Sequence, residues 1–154
     1  MDMMTIGKLA SATGVKVTTI RYYESTDLLP EPDRSESGQR LYDQNAVERL
    51  AFIRHARDLG FSVETVRELI SLQVEPDRDC AVVDQIARRQ LGEVRRRLTQ
   101  LEALEAELKR MVSACEGGRI GTCSVLASLG DHETCLADDH AGAEVLASPP
   151  SLKA

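Results

Sequence analysis

Four cysteines punctuate a chain of 154 residues, at Cys80, Cys115, Cys123 and Cys135. In a reducing compartment, thiols in such places are metal ligands or sensors rather than halves of disulfides. Cys115 and Cys123 bracket the segment Glu116-Gly117-Gly118-Arg119-Ile120-Gly121-Thr122, whose glycines permit tight bends that close two sulfurs on one ion. Cys123 opens a short apolar stretch expected to form a two-turn helix from Ser124 to Leu129, and a helix N-terminus favours the thiolate. With Cys80 as a third donor the set is soft. It suits zinc, cadmium, lead and mercury(II) and does not suit magnesium or calcium. His132, Cys135 and His140 follow as candidates for a fourth ligand or a second metal position.

The element that must position these sulfurs lies between them. From about Cys80 to Val112 there is no proline, and Val83, Ala87, Leu91, Val94, Leu98, Leu101, Leu104, Leu108 and Met111 advance by threes and fours. That is one apolar stripe on a long helix, about 50 Å from end to end at 1.5 Å per residue. Cys80 begins it and Cys115 lies past its end, so the two cannot share an ion within one chain. A lone helix with one apolar seam is unstable in water, and a second copy of the same helix is the simplest cover. Antiparallel pairing would set Cys80 of one protomer beside Cys115 and Cys123 of the other, giving two equivalent sites.

Residues 1–75 have a different texture. Thr5 is placed to cap a helix carrying Ile6, Leu9 and Ala10, and Gly14 to end it. A second helix is expected over about 17–25, with Val17, Ile20 and Tyr23 inward. The layout is that of a helix-turn-helix, exposing Lys16, Thr18, Thr19, Arg21 and Tyr22. Short hydroxyls and one arginine suit the major groove, where hydroxyls reach phosphates and arginine reads guanine. Residues 28–42, with Ser37-Gly38 at their turn, read as a hairpin; Arg34 and Arg40 flank the turn, Tyr42 ends it, and the whole would act as a wing. A third helix ends at Gly60 and carries Arg54 and Arg57, an extension of the phosphate track. His55 sits among its apolar positions and is expected to be structural. Ser62 caps a fourth helix.

Composition sets the outer limits. Apolar residues are 42% and aromatics 3%, which favours a helical core over a large sheet. No apolar run approaches the roughly 20 residues of a membrane span, and no export-signal layout opens the chain, so a cytoplasmic protein without a membrane partner is expected. The net charge of −6 falls mostly after residue 114, where two cations face six acids. Net charge therefore says little about the DNA-reading end, where a shared basic face matters more. No nucleophile–base pair or phosphate loop is present, and an enzyme is not expected.

The segments Thr5-Ile6-Gly7-Lys8-Leu9-Ala10, Thr19-Ile20-Arg21-Tyr22-Tyr23-Glu24, Leu28-Leu29-Pro30, Arg34 to Tyr42, and Ile53 to Phe61 together resemble the MerR family of bacterial transcription regulators. The likeness runs from about residue 4 to residue 129. It implies a mainly α fold: an N-terminal winged helix-turn-helix (1–75), a hinge and long antiparallel coiled-coil dimerisation helix (76–112), and a short metal-binding loop and helix (113–135). Residues 136–154 have too little to bury and are expected to form a disordered tail.

The resemblance further implies DNA contacts at Thr18, Arg21, Tyr22, Arg34, Arg40, Tyr42 and Arg57. It implies a homodimer on a pseudo-palindromic operator, with RNA polymerase as the partner at the promoter. Repression without metal would give way to activation by DNA distortion when metal binds. Members of this family that respond to divalent metals look like this chain at Cys80, whereas copper(I) and gold(I) sensors usually carry Ser there. The zinc-responsive pattern of adjacent loop cysteines with a loop histidine is not matched, because Glu116 follows Cys115. Zinc, cadmium, lead and mercury all remain open as effectors. The alternative is a redox or electrophile sensor of the same family.

Overall fold

The computed structural model describes residues 2–131, which divide into two compact units at Ile86 and Ala87. His132, Cys135, His140 and the tail at 136–154 lie outside the described residues.

The first unit runs through Ile86. Strand β1 (Met4–Thr5) leads into α1 (Ile6–Thr13), whose first turn is capped by Thr5, its hydroxyl accepting from the Lys8 amide. Helix α1 ends at Gly14 with φ of 67°, a left-handed conformation that costs a residue without Cβ little. Helix α2 (Val17–Ser25) follows directly, and the pair forms the expected helix-turn-helix. Strands β2 (Asp33–Arg34) and β3 (Arg40–Tyr42) pair antiparallel as the hairpin. A third strand is present that no local pattern announces: β1 pairs with the other edge of β3, Met4 opposite Tyr42 and Thr5 opposite Leu41.

Helix α3 (Gln44–Asp58) is capped by the Asp43 carboxylate and α4 (Val63–Gln73) by the Ser62 hydroxyl. Leu9, Val15, Ile20, Tyr23, Leu28, Leu29, Tyr42, Leu50, Ile53, Ala56 and Val66 are buried together as one core. His55 departs from expectation. It is exposed, and Ala56 takes the inward position instead, so the buried face of α3 is Leu50, Ile53 and Ala56.

Helix α5 (Ala81–Ser113) is continuous for 33 residues. Its apolar stripe faces solvent in the single protomer: Leu91, Val94, Leu98, Leu101 and Leu108 are all exposed, whereas Met111 is buried. After it come a short 3-10 turn (Ile120–Thr122) and helix α6 (Ser124–Gly130). No helix among the described residues is long and apolar enough to cross a membrane.

Candidate nucleic-acid interface and metal loop

Two sites are built on this frame, each within its own unit. In the first, α2 presents Lys16, Thr18, Arg21 and Tyr22 outward, with Thr19 half-buried; Tyr22 keeps half its surface in solvent while Ile20 and Tyr23 hold the helix to the core. The 3.6-residue period makes this division, because residues 20 and 23 fall on one face and 18, 21 and 22 on the other. Beyond it the wing turns at Ser35-Glu36-Ser37-Gly38. The turn is closed by the Gly38 amide on the Ser35 carbonyl at 2.8 Å and by Arg34 Nη1 donating to the Gly38 carbonyl at 3.0 Å. The Arg34 side chain stays exposed at the tip.

The remaining arginines expected to touch DNA are tied into the fold as well. Arg54 Nη1 donates to the Thr13 carbonyl at the end of α1, latching the helix-turn-helix turn to α3. Arg57 Nη1 donates to the Phe61 carbonyl, and the same guanidinium partly offsets the upward push of burial on the Tyr23 hydroxyl pKa. Arg40 Nε donates to Glu24 Oε2 at 3.1 Å. Each arginine has further N–H groups for an outside acceptor.

Tyr42 is a correction. The resemblance placed it against DNA, but only 2% of its surface is exposed, and its hydroxyl donates to Glu24 Oε1. The strand alternation explains the outcome: Arg40 and Tyr42, two apart on β3, both turn toward α2. Burial first, and then the adjacent Glu24 carboxylate, push the Tyr42 hydroxyl well above its ordinary range. Glu24 itself was missed as a site residue. Its signal in the sequence is an acid on the reading helix, which only the hairpin brings to Arg40 and Tyr42, 16 and 18 positions away.

In the second unit the chain bends back after α5. Gly117 and Gly118 take φ of 77° and 106°, and Ser124 Oγ donates to the Ala114 carbonyl at 2.9 Å, closing a loop of eleven residues from 114 to 124. Cys115 and Cys123 both line the open cavity inside it, of about 340 Å³, together with Glu116, Arg119 and Thr122. Both cysteines thus border the same cavity. Cys80, Cys115 and Cys123 are free thiols, the first two exposed and Cys123 half-buried. Among the described residues of one chain, no three His, Cys, Asp or Glu side chains converge as metal ligands.

Two family models match the chain. Residues 4–73 match the MerR HTH family regulatory protein model, and residues 47–111 match the family model described as MerR, DNA binding. The HTH-type transcriptional regulator ZntR of Escherichia coli (strain K12) is 40% identical over 130 residues, covering 82% of this chain and 92% of that protein. This chain belongs to the MerR family.

The expected fold and DNA-binding class follow from that membership, and its relatives are transcription regulators rather than enzymes. The mercuric resistance operon regulatory protein of Serratia marcescens is another MerR relative, 37% identical over 141 residues, covering 90% of this chain and 96% of that one. The fold is also similar to the crystal structure of the transcription regulator PbrR691 from Ralstonia metallidurans CH34 in complex with lead(II). That likeness has a TM-score of 0.72 at 37% identity, over 82% of this chain and 98% of the other.

Proposed function

We propose that this MerR-family protein is a homodimeric, metal-responsive regulator that represses its promoter without metal and activates it when a soft divalent ion binds. The ion, Zn(II), Cd(II), Pb(II) or Hg(II), is held by Cys115 and Cys123 of one protomer and Cys80 of the partner subunit. One observation carries the reading. Cys115 and Cys123 share one cavity, and a continuous 33-residue helix, about 50 Å long, separates them from the third thiol of their own chain. Two thiols leave the soft site one ligand short, and a two-fold axis would supply the third. The donor set fits: three thiolates satisfy all four ions. Relatives whose names record mercury or lead support a metal effector of this kind.

The exposed apolar face of α5 supports dimerisation, since Leu101, Leu104, Leu108 and Val112 line an open groove of about 480 Å³ on that helix. In this reading residues 1–75 bind the operator, 76–112 form hinge and dimer helix, and 113–135 receive the effector, with His132, Cys135 and His140 as further candidate ligands. Lys16, Thr18, Thr19, Arg21 and Tyr22 enter the major groove. Arg34, Arg40, Arg54 and Arg57 face the backbone. RNA polymerase is the partner at the promoter. An effector can act only by binding one dimer shape better than the other. Tying the 114–124 loop to Cys80 of the partner subunit couples that loop to the segment that leads into the partner's DNA-binding unit, so promoter distortion rather than new base contacts would change the output.

The test mixes two inactive chains. Cys80→Ser and Cys115→Ser homodimers should each lose tight Cd(II) binding, while their mixture should regain one ion per heterodimer, because one site then has all three sulfurs. No recovery on mixing would refute a shared site. A second reading has its own support: exposed thiols at Cys80 and Cys115 also suit an electrophile sensor. Absence of stoichiometric uptake of any of the four ions by reduced protein would favour it.

A further inference from the structure

The wing is anchored at its base, where β1 pairs with β3 and Tyr42 enters the core, but its strands are short. Strand β2 is two residues long and β3 three, so the sheet ladder alone is a weak support for a hairpin that must meet DNA at a fixed distance from α2. From α2, the Glu24 side chain grips β3 by hydrogen bonds. Its two carboxylate oxygens are divided between the strand's two inward residues, Oε2 taking Arg40 Nε at 3.1 Å and Oε1 taking the Tyr42 hydroxyl. Only 11% of the Glu24 side chain is exposed, against 33% for Arg40. A shielded, two-pronged, charge-assisted contact of this kind is strong and directional, unlike an ion pair in open water.

We propose that Glu24 is a positioning residue for operator recognition: it fixes the wing to the reading helix and presents Arg40 to the DNA backbone, without itself touching DNA. The negative charge would be repelled by phosphate if it were free; bound to Arg40 and Tyr42 it is neutralised. With Nε engaged, the Arg40 guanidinium loses its rotational freedom, and its terminal N–H groups remain for an acceptor outside. Glu24 should therefore matter for sequence-specific binding, where helix and wing must be seated together. It should matter little for loose association with any duplex, which needs only cations near phosphates.

The inference rests on DNA reading by α2 and the wing. The full-length wild-type protein first selects a duplex from a random library, and binding is then measured on that duplex and on a scrambled one of equal length. Failure of wild type to select any duplex would sink the DNA-reading assignment itself. Given a selected duplex, Glu24→Gln should lose about tenfold affinity on it and less than about twofold on the scrambled one, since the lost contact is charge-assisted. In a variant already carrying Arg40→Gln, adding Glu24→Gln should cost less than about twofold. Tyr42→Phe, which keeps the buried ring and removes only the hydroxyl, gives the same comparison from the wing side should Glu24→Gln fail to fold. An unchanged ratio between the two duplexes, or full additivity with Arg40→Gln, would overturn the proposal.

Discussion

At the scale of single residues, arginine side chains tie the DNA-binding unit together. Arg54 satisfies the Thr13 carbonyl left open at the end of α1, next to Gly14, whose positive φ and closeness to the Arg54 guanidinium leave no room for a side chain. Gly14→Ala should lower unfolding stability by about 1–2 kcal/mol, through the left-handed backbone and the displaced arginine. Denaturant melts would check this, and an unchanged midpoint would count against the latch.

Tyr42 has a pH signature. Its hydroxyl pKa is raised in the folded state from an ordinary 10.0, by burial first and then by Glu24. The folded protein thus holds that proton more tightly than the unfolded chain. The contribution is complete below pH about 10 and is lost as pH climbs beyond it. Burial raises Tyr23 in the same direction. The melting temperature should fall above pH 10, less steeply in Tyr42→Phe than in wild type. Equal slopes would remove Tyr42 from this account.

At the scale of elements, the proposed dimer depends on α5. Leu91, Leu98 and Leu108 are each about half exposed in a lone protomer, and Val112 more so. Covering such side chains contributes roughly 1.5–3 kcal/mol each when burial is complete, whereas the Lys109–Glu105 and Arg96–Glu93 pairs on the same helix are exposed and contribute little. A charge in the middle of the seam should therefore outweigh its surface pairs. Leu98→Glu should shift the protein toward monomer in light scattering at micromolar concentration while the helical circular dichroism of the DNA-binding unit persists. A dimer unaffected by this change would mean that the stripe is covered by something other than its own copy. The short helices depend more on caps than on seams: Ser62→Ala removes the hydroxyl that accepts from the Thr65 amide at the start of α4, at about 1 kcal/mol.

At the scale of the whole molecule, the proposed site would link the thiols to the promoter by stoichiometry. A cross-subunit site made by a two-fold axis predicts two ions per dimer, saturating together with transcription from the regulated promoter in vitro. Cys80→Ser should abolish the divalent response and leave operator binding by the metal-free protein intact, because Cys80 stands outside the DNA-binding face. Retained activation in that variant would move the site elsewhere. Comparing the four ions in the same assay would rank them by what three sulfurs alone satisfy.

Much of this protein is legible from the chain because the rules involved are local. Thr5, Gly14 and Ser62 mark helix ends by their own chemistry, the turn around Ser37-Gly38 marks a hairpin, and the leucines of α5 repeat at the helical period with nothing to interrupt them. That Cys115 and Cys123 line one cavity is likewise a matter of a short glycine-bearing loop. What only the tertiary structure decided involves residues far apart in sequence. Glu24 meets Arg40 and Tyr42 across 16 and 18 positions, Met4 and Thr5 become a strand only because β3 offers a free edge, and Tyr42 turns inward while His55 turns out. No periodicity encodes such contacts. They follow from which faces the packed helices leave open, and that is fixed when the core closes.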